Sequence, residues 1–368
     1  MAGMQPEQIQ RILVIRFSSI GDIVLTTPTF RALRKRFPDA RIDMVTKQQY
    51  AELVETHPAL HQVFRYDSRN GFNGLLQLGR ELRQIRYDLC VDLHGNLRSR
   101  ILRLLAQPST QIGYSKQILA RTLLVQAKIN RYRRIVPVPE RYLAPLARFG
   151  VQNDGTGLEL FPTEQNEAHV AKLFAAEGLR DGEPVVGFGA IAAHPLKQWP
   201  IENFIALGQR LVDQHQTRIV LFGGPGDREN AERIAQQLSN RAIVLCGRVS
   251  LLAAAAALKR CAIFIGNDTG TVHIAAAMQR PVVAIFGPTV EEFGFYPYRT
   301  PAKVISAPLP CRPCTHTGKG RCKIRDTHAC MTRIRVDEVL EAAETLLRES
   351  VSHSSTFLLT SSAKERQL

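Results

Sequence analysis

The chain has 368 residues, 45% hydrophobic and 22% charged, a size and composition that suit two folded cores rather than one. No apolar run is long enough to span a bilayer, and "MAGMQPEQIQ" lacks the basic-then-apolar pattern of a secretory signal, which predicts a cytoplasmic chain without a transmembrane segment. The formal net charge of +15 sits almost wholly in residues 1–150, where 24 Lys and Arg stand against 11 Asp and Glu. That predicts a polyanion or an anionic membrane surface as partner, and the absence of helix-turn-helix, RNA-recognition or finger patterns argues against nucleic acid.

Strand and helix signals alternate along the chain. "RILVIRF", "RIDMVT" and "DLCVDL" read as strands of the first half, with helical stretches at 23–36 and 73–86. "PVVGFGA", "TRIVLFGG", "AIVLCG", "CAIFIGN" and "PVVAIFG" read as strands of the second half. Helical stretches at 163–178, 201–215, 227–239, 250–260 and 270–278 accompany them. Short β-branched runs between amphipathic helices predict an α/β chain with parallel sheets covered on both faces. The expected domains are 1–160 and 183–335, joined by 161–182; a helix at 336–350 and a disordered tail at 351–368 follow.

Two doubly wound domains place their chemistry in the loops after strands. The first such loop, "SSIGD", raises a question about Asp22: it is either a helix cap or a carboxylate in a half that does not hold a phosphate. "GFGAIAAHPLKQWP" puts Lys197 in a strand-to-helix loop at the expected cleft, where it can meet a phosphate; Trp199 reads as a packing anchor. In "LFGGPGDREN", Gly223, Gly224 and Gly226 leave room for a nucleoside, and Asp227 begins the next helix. "NDTGTVHIAAA" is the most specific stretch. The amides of Thr269, Gly270 and Thr271 open a helix, Gly270 permits close approach of a phosphate, and His273 lies one turn in. Asp268 there is an N-cap, an acceptor for sugar hydroxyls, or both. No GxGxxG follows the first strand and no GxxxxGK[ST] occurs, which weighs against dehydrogenase and P-loop readings.

Of seven cysteines, Cys90, Cys246 and Cys261 lie in or beside apolar strands and read as core. Cys311, Cys314, Cys322 and Cys330 share one loop. Four thiolates can close a structural zinc shell, with His316 or His328 replacing one, whereas a loop of reduced thiols is the plain alternative.

"SSIGD", "KQWPIENF" and "NDTGTVHIAAA" followed by "PVVAIFGPT" resemble, in that order, the lipopolysaccharide heptosyltransferases of glycosyltransferase family 9 over roughly residues 10–349. The resemblance implies a GT-B fold, two Rossmann-like domains facing across a cleft, with the sugar nucleotide held by the second. It implies inverting transfer of heptose from ADP-heptose to an anionic inner-core lipopolysaccharide precursor, of type II-like activity, by an enzyme peripheral to the cytoplasmic face of the inner membrane. No cofactor is required for that catalysis. Asp22 matches the position of a general base. Lys197, Asp227, Asp268, Thr269, Gly270, Thr271 and His273 fall to the donor, and Asn96 and Arg98 to the acceptor. Ala192 and Ala193 replace hydroxyl or acidic residues frequent in the family, and an acidic position aligns near Pro225. Two further readings are a related transferase with another nucleotide sugar and a nucleotide-sugar-binding protein without turnover.

Overall fold

The computed structural model describes residues 9–324 and 328–349. Its first sheet contains β1 (Arg11–Ile15), β2 (Arg41–Lys47), β3 (Gln62–Tyr66), β4 (Leu89–Asp92) and β5 (Thr110–Gly113), in the order β3-β2-β1-β4-β5. The second contains β6 (Val185–Gly189), β7 (Arg218–Leu221), β8 (Ala242–Val244), β9 (Ile263–Asn267), β10 (Val282–Ile285) and β11 (Ala302–Ile305), in the order β11-β10-β9-β6-β7-β8. Neighbouring strands pair in parallel throughout, and helices join them. These are the two doubly wound domains of a GT-B fold.

The strand orders explain where chemistry can sit. In the first sheet the chain winds outward on opposite sides of the β1/β4 boundary; in the second it does so at β6/β9. At such a boundary the following loops diverge and leave a crevice at the carboxyl ends of the strands. Ile12, Val14, Ile15, Leu89 and Val91 are fully buried, as are Val186, Ile263 and Ile265, so the loops start from rigid strands. Asp22 follows β1, Asn96 follows β4, Lys197 follows β6 and Asp268 follows β9.

The eight strand-like runs all form strands, but three strands escape the apolar pattern. β3 and β5 form both edges of the first sheet and β11 one edge of the second; each is only partly buried, with burial varying along the strand. An edge strand needs fewer apolar residues, so its signal is weak. The expected helix at 23–36 is instead two, Ile20–Val24 and Thr27–Arg36. At the break, the hydroxyls of Thr26 and Thr27 donate to the carbonyls of Ile23 and Val24 at 2.6 and 2.9 Å. Helices at Leu97–Ala106, Ile118–Ala127 and Val138–Leu143 were hidden by arginines and short length. The helix Glu164–Ala176 packs Val170 and Phe174 into a core shared with Leu258 and Cys261.

Trp199 is fully buried, donates its indole N–H to the carbonyl of Ile334 at 3.0 Å and meets Phe204 edge-on. Residues 336–349 are helical, and Val339, Leu340, Ala343 and Leu346 complete the same core. The tail expected at 351–368 lies outside the described residues. Cys90, Cys246 and Cys261 are buried. Among the described residues no helix is long and apolar enough to cross a membrane.

Candidate active site

A cavity of about 320 Å³ lies between the carboxyl ends of the two sheets. Ser19, Ile20, Gly21, Asp22 and Tyr50 line it from the first domain; Lys197, Asp268, Thr269, Gly270 and His273 line it from the second.

Asp22 stands in the first turn of the helix Ile20–Val24. Its Oδ2 accepts from the N–H of Ser19 at 3.1 Å and from the Ser19 hydroxyl at 2.9 Å. Its Oδ1 pairs with a guanidinium nitrogen of Arg16 at 2.5 Å. Arg16 is itself buried: it donates to the carbonyls of Leu93 and Ser18 and lies 5.6 Å from the centre of the Tyr142 ring. Burial alone would raise the Asp22 carboxyl, but the Arg16 charge and the two Ser19 donors outweigh it and hold the group below its ordinary value. Asp22 is therefore both cap and fixed anion. A carboxylate offers about four lone-pair positions, of which these contacts use three, so one is left for an incoming hydroxyl.

Across the cavity, β9 ends at Asn267. Its Oδ1 accepts from the N–H of Trp199 at 3.0 Å and its Nδ2 donates to the carbonyl of Ala190 at 2.9 Å. This side chain ties the loop carrying Lys197 to the loop carrying Asp268. The ammonium of Lys197 then pairs with Asp268 at 2.7 Å, and the Thr289 hydroxyl donates to the same carboxylate at 2.7 Å. Asp268 thus acts as an anchor for Lys197; the position of helix N-cap belongs to Thr269. The helix Gly270–Ala277 begins there, with its first amides beside Lys197 and its positive dipole end at the cavity.

His273 is almost fully buried, and its Nδ1 has no partner among the described residues. It packs on Gly21 so closely that a Cβ at Gly21 would lie 2.6 Å from its ring, while a Cβ at Gly270 would lie 2.8 Å from Ile20. The domains therefore touch through two glycines beside the candidate groups.

Burial pushes His273 down from 6.5 to about 4, so the ring is neutral at pH 7. Between these values the unfolded chain binds a proton that the folded chain refuses, so stability falls as pH drops from 6.5 towards 4. The expected loss from this residue approaches about 3 kcal/mol. Urea unfolding at pH 7 and pH 4.5 should show a smaller loss in His273→Gln than in the parent; equal losses would refute the assignment.

The remaining expected residues fall outside the cavity lining. Thr271 is one position further along the same helix. Asp227 accepts from the N–H of Gly224 at 2.8 Å in the loop after β7, and Asn96 caps Leu97–Ala106 by accepting from the Ser99 N–H at 2.9 Å. Arg98 is exposed on that helix. Ala192 and Ala193 do line the cavity, together with Phe293, Phe295, His316 and Thr317. Cys311, Cys314 and Cys322 are partly buried, Cys330 is buried, and burial pushes the Cys330 thiol up to about 11. Among the described residues, no group of three or more His, Cys, Asp or Glu side chains is arranged to hold a metal ion. Arg16, Asn267 and Thr289 were not foreseen. Arg16 passes for one more strand residue, whereas Asn267 and Thr289 acquire their roles only when distant loops meet.

Comparison with known proteins bears on the family and the fold. The family description "Glycosyltransferase family 9 (heptosyltransferase)" matches residues 75–324. Lipopolysaccharide heptosyltransferase 2 of Salmonella typhimurium is 27% identical over 92% of this chain and 99% of its own length. A glycosyltransferase family 9 structure from Veillonella parvula superposes with a TM-score of 0.77 at 26% identity, covering 94% of this chain and 99% of that one. The structure of E. coli ADP-heptose lps heptosyltransferase II has the same fold, with a TM-score of 0.72 at 24% identity over 92% of this chain and 99% of that one.

Proposed function

Because the chain belongs to glycosyltransferase family 9 and is a glycosyltransferase, we propose that it transfers heptose from ADP-heptose to the inner core of a lipopolysaccharide precursor, with inversion at the anomeric carbon. The observation that carries this reading is the meeting in one cavity of Asp22, from the first domain, with Lys197 and the Gly270 helix end, from the second. An acceptor hydroxyl gives its proton to the carboxylate of Asp22 as its oxygen bonds to the anomeric carbon. The bond from that carbon to the donor's β-phosphate breaks, and its electron pair leaves on the phosphate oxygen. Lys197 and the amides of Thr269 to Thr271 stabilise the departing ADP, the charge that grows as the bond breaks. Arg16 sets the balance: it keeps Asp22 ionised and oriented, while the proton needs to be held only as the hydroxyl acidifies during attack. The basic first half supports a membrane-borne, anionic acceptor, and with it our assignment of the enzyme to the cytoplasmic face of the inner membrane.

Ala192 and Ala193 on the donor side favour one other reading, a transferase of the same family with a different nucleotide sugar. Thermal unfolding with ADP, UDP, GDP and CMP separates the two. At 100 times its Kd, ADP should stabilise by about 2.7 kcal/mol and raise Tm by about 5 °C, with little effect from the other nucleotides. Selective stabilisation by UDP or GDP would defeat the ADP-heptose assignment.

A further inference from the structure

We propose that the surface formed by the helix Ile118–Ala127 and the segment 129–135 docks on an anionic lipid bilayer and carries the cleft to it. The proposal deepens the functional reading, on which its purpose rests, but its chemistry stands on the surface itself. From Leu93 to Pro139 the chain has nine Lys and Arg and no Asp or Glu. That segment forms most of an open groove of about 1300 Å³, whose lining includes Lys116, Arg131, Arg133 and Arg134 and no acidic side chain. None of these four cations forms an ion pair with a described residue.

The second observation is apolar. Of the eight large hydrophobic side chains exposed among the described residues, four are Ile118 (58% exposed), Leu119 (73%), Ile129 and Ile135. Ile118 and Leu119 line the same groove as the arginines. Exposed aliphatic residues among unpaired cations match the interfacial layer of an anionic membrane, where the aliphatics enter the acyl boundary and the cations meet headgroup phosphates. A second copy of the chain would set this positive surface against itself. A nucleic acid would use the cations but gain little from Ile118 and Leu119.

The patch is also joined to the cleft. On the other side of the same helix, Leu124 and Val125 are buried against Phe293, and Phe295 and Val290 pack beside them. Those three residues of the second domain line the catalytic cavity. Just past the helix, the ammonium of Lys128 donates to the carbonyl of Cys311 at 2.7 Å, at the start of the loop whose His316 and Thr317 also line the cavity. Docking through this helix therefore sets the cavity wall one helix away from the bilayer, within reach of an acceptor anchored there.

The test uses the full chain and sucrose-loaded vesicles of phosphatidylglycerol and phosphatidylcholine, free of any glycolipid. The chain should sediment with these vesicles and not with pure phosphatidylcholine. Arg131→Ser/Arg133→Ser/Arg134→Ser should weaken binding about 100-fold, and Ile118→Ser/Leu119→Ser at least about 10-fold. Both variants should retain the Tm rise with ADP, which shows that they fold and keep the nucleotide site. Absence of sedimentation by the parent, or binding indifferent to the Ile118/Leu119 change, would overturn the proposal. A chain that binds vesicles but gains no stability from ADP would refute the donor reading and leave the docking surface standing.

Discussion

Asp22→Asn should lower kcat for heptose transfer by about 1,000-fold while leaving the ADP-induced rise in Tm intact. The figure lies within the 10²–10⁴ range typical for loss of a general base. The amide keeps the shape of the carboxylate and can still accept from Ser19, but it cannot take up a proton from an attacking hydroxyl. It also removes the charge opposite a buried guanidinium. The Arg16–Asp22 pair is only 8% and 18% exposed, so the variant should lose stability, on the order of 3 kcal/mol. The two effects are separated by measuring turnover well below the variant's own Tm and confirming ADP binding there. Turnover within threefold of the parent would remove Asp22 from the role of base. Loss of ADP binding together with turnover would point to collapse of the cleft.

Lys197→Ala should act on the other half of the reaction, weakening ADP binding about 100-fold and lowering kcat as well. Two causes add. The ammonium no longer attracts the diphosphate, and Asp268, only 9% exposed, becomes a negative charge held by the Thr289 hydroxyl alone. A phosphate then approaches an uncompensated carboxylate. Truncating one partner of such a pair typically costs about 3–5 kcal/mol, part of it in folding and part in binding. Lys197→Ala/Asp268→Ala should recover some of the lost ADP affinity, because the repulsion goes with the second change. Calorimetric titration with ADP of the parent, the single variant and the double variant measures this coupling. No recovery in the double variant would show that Asp268 does not repel the nucleotide.

Much of this site was readable before folding because each key residue follows an apolar run and opens a helix. Lys197 and Asp268 stand in strand-to-helix loops and Asp22 in the helical turn just after one, and the topology sends those loops to one crevice. The partners of Asp268 were not legible in the sequence: its carboxylate turns to Lys197 and Thr289, which lie 71 and 21 residues away. Arg16 was equally hidden. An arginine at the end of "RILVIRF" carries no sign that its guanidinium is buried beneath Asp22, bonded to Leu93 in a neighbouring loop. Edge strands and the arginine-bearing helices failed for a related reason. Their apolar residues are few or interrupted, and partners remote in sequence supply the burial that periodicity measures in a central strand.

The paired glycines between the domains have a mechanical consequence. Gly21 lies under His273 and Gly270 under Ile20, so the lobes approach closely at the point where Asp22 and the donor helix face each other. Were the lobes to turn about that point, it would serve as a fulcrum: the outer rims would sweep widely while the reacting groups kept their spacing. Even a single methyl on either glycine would act as a shim, prising the halves apart where displacement is least tolerable.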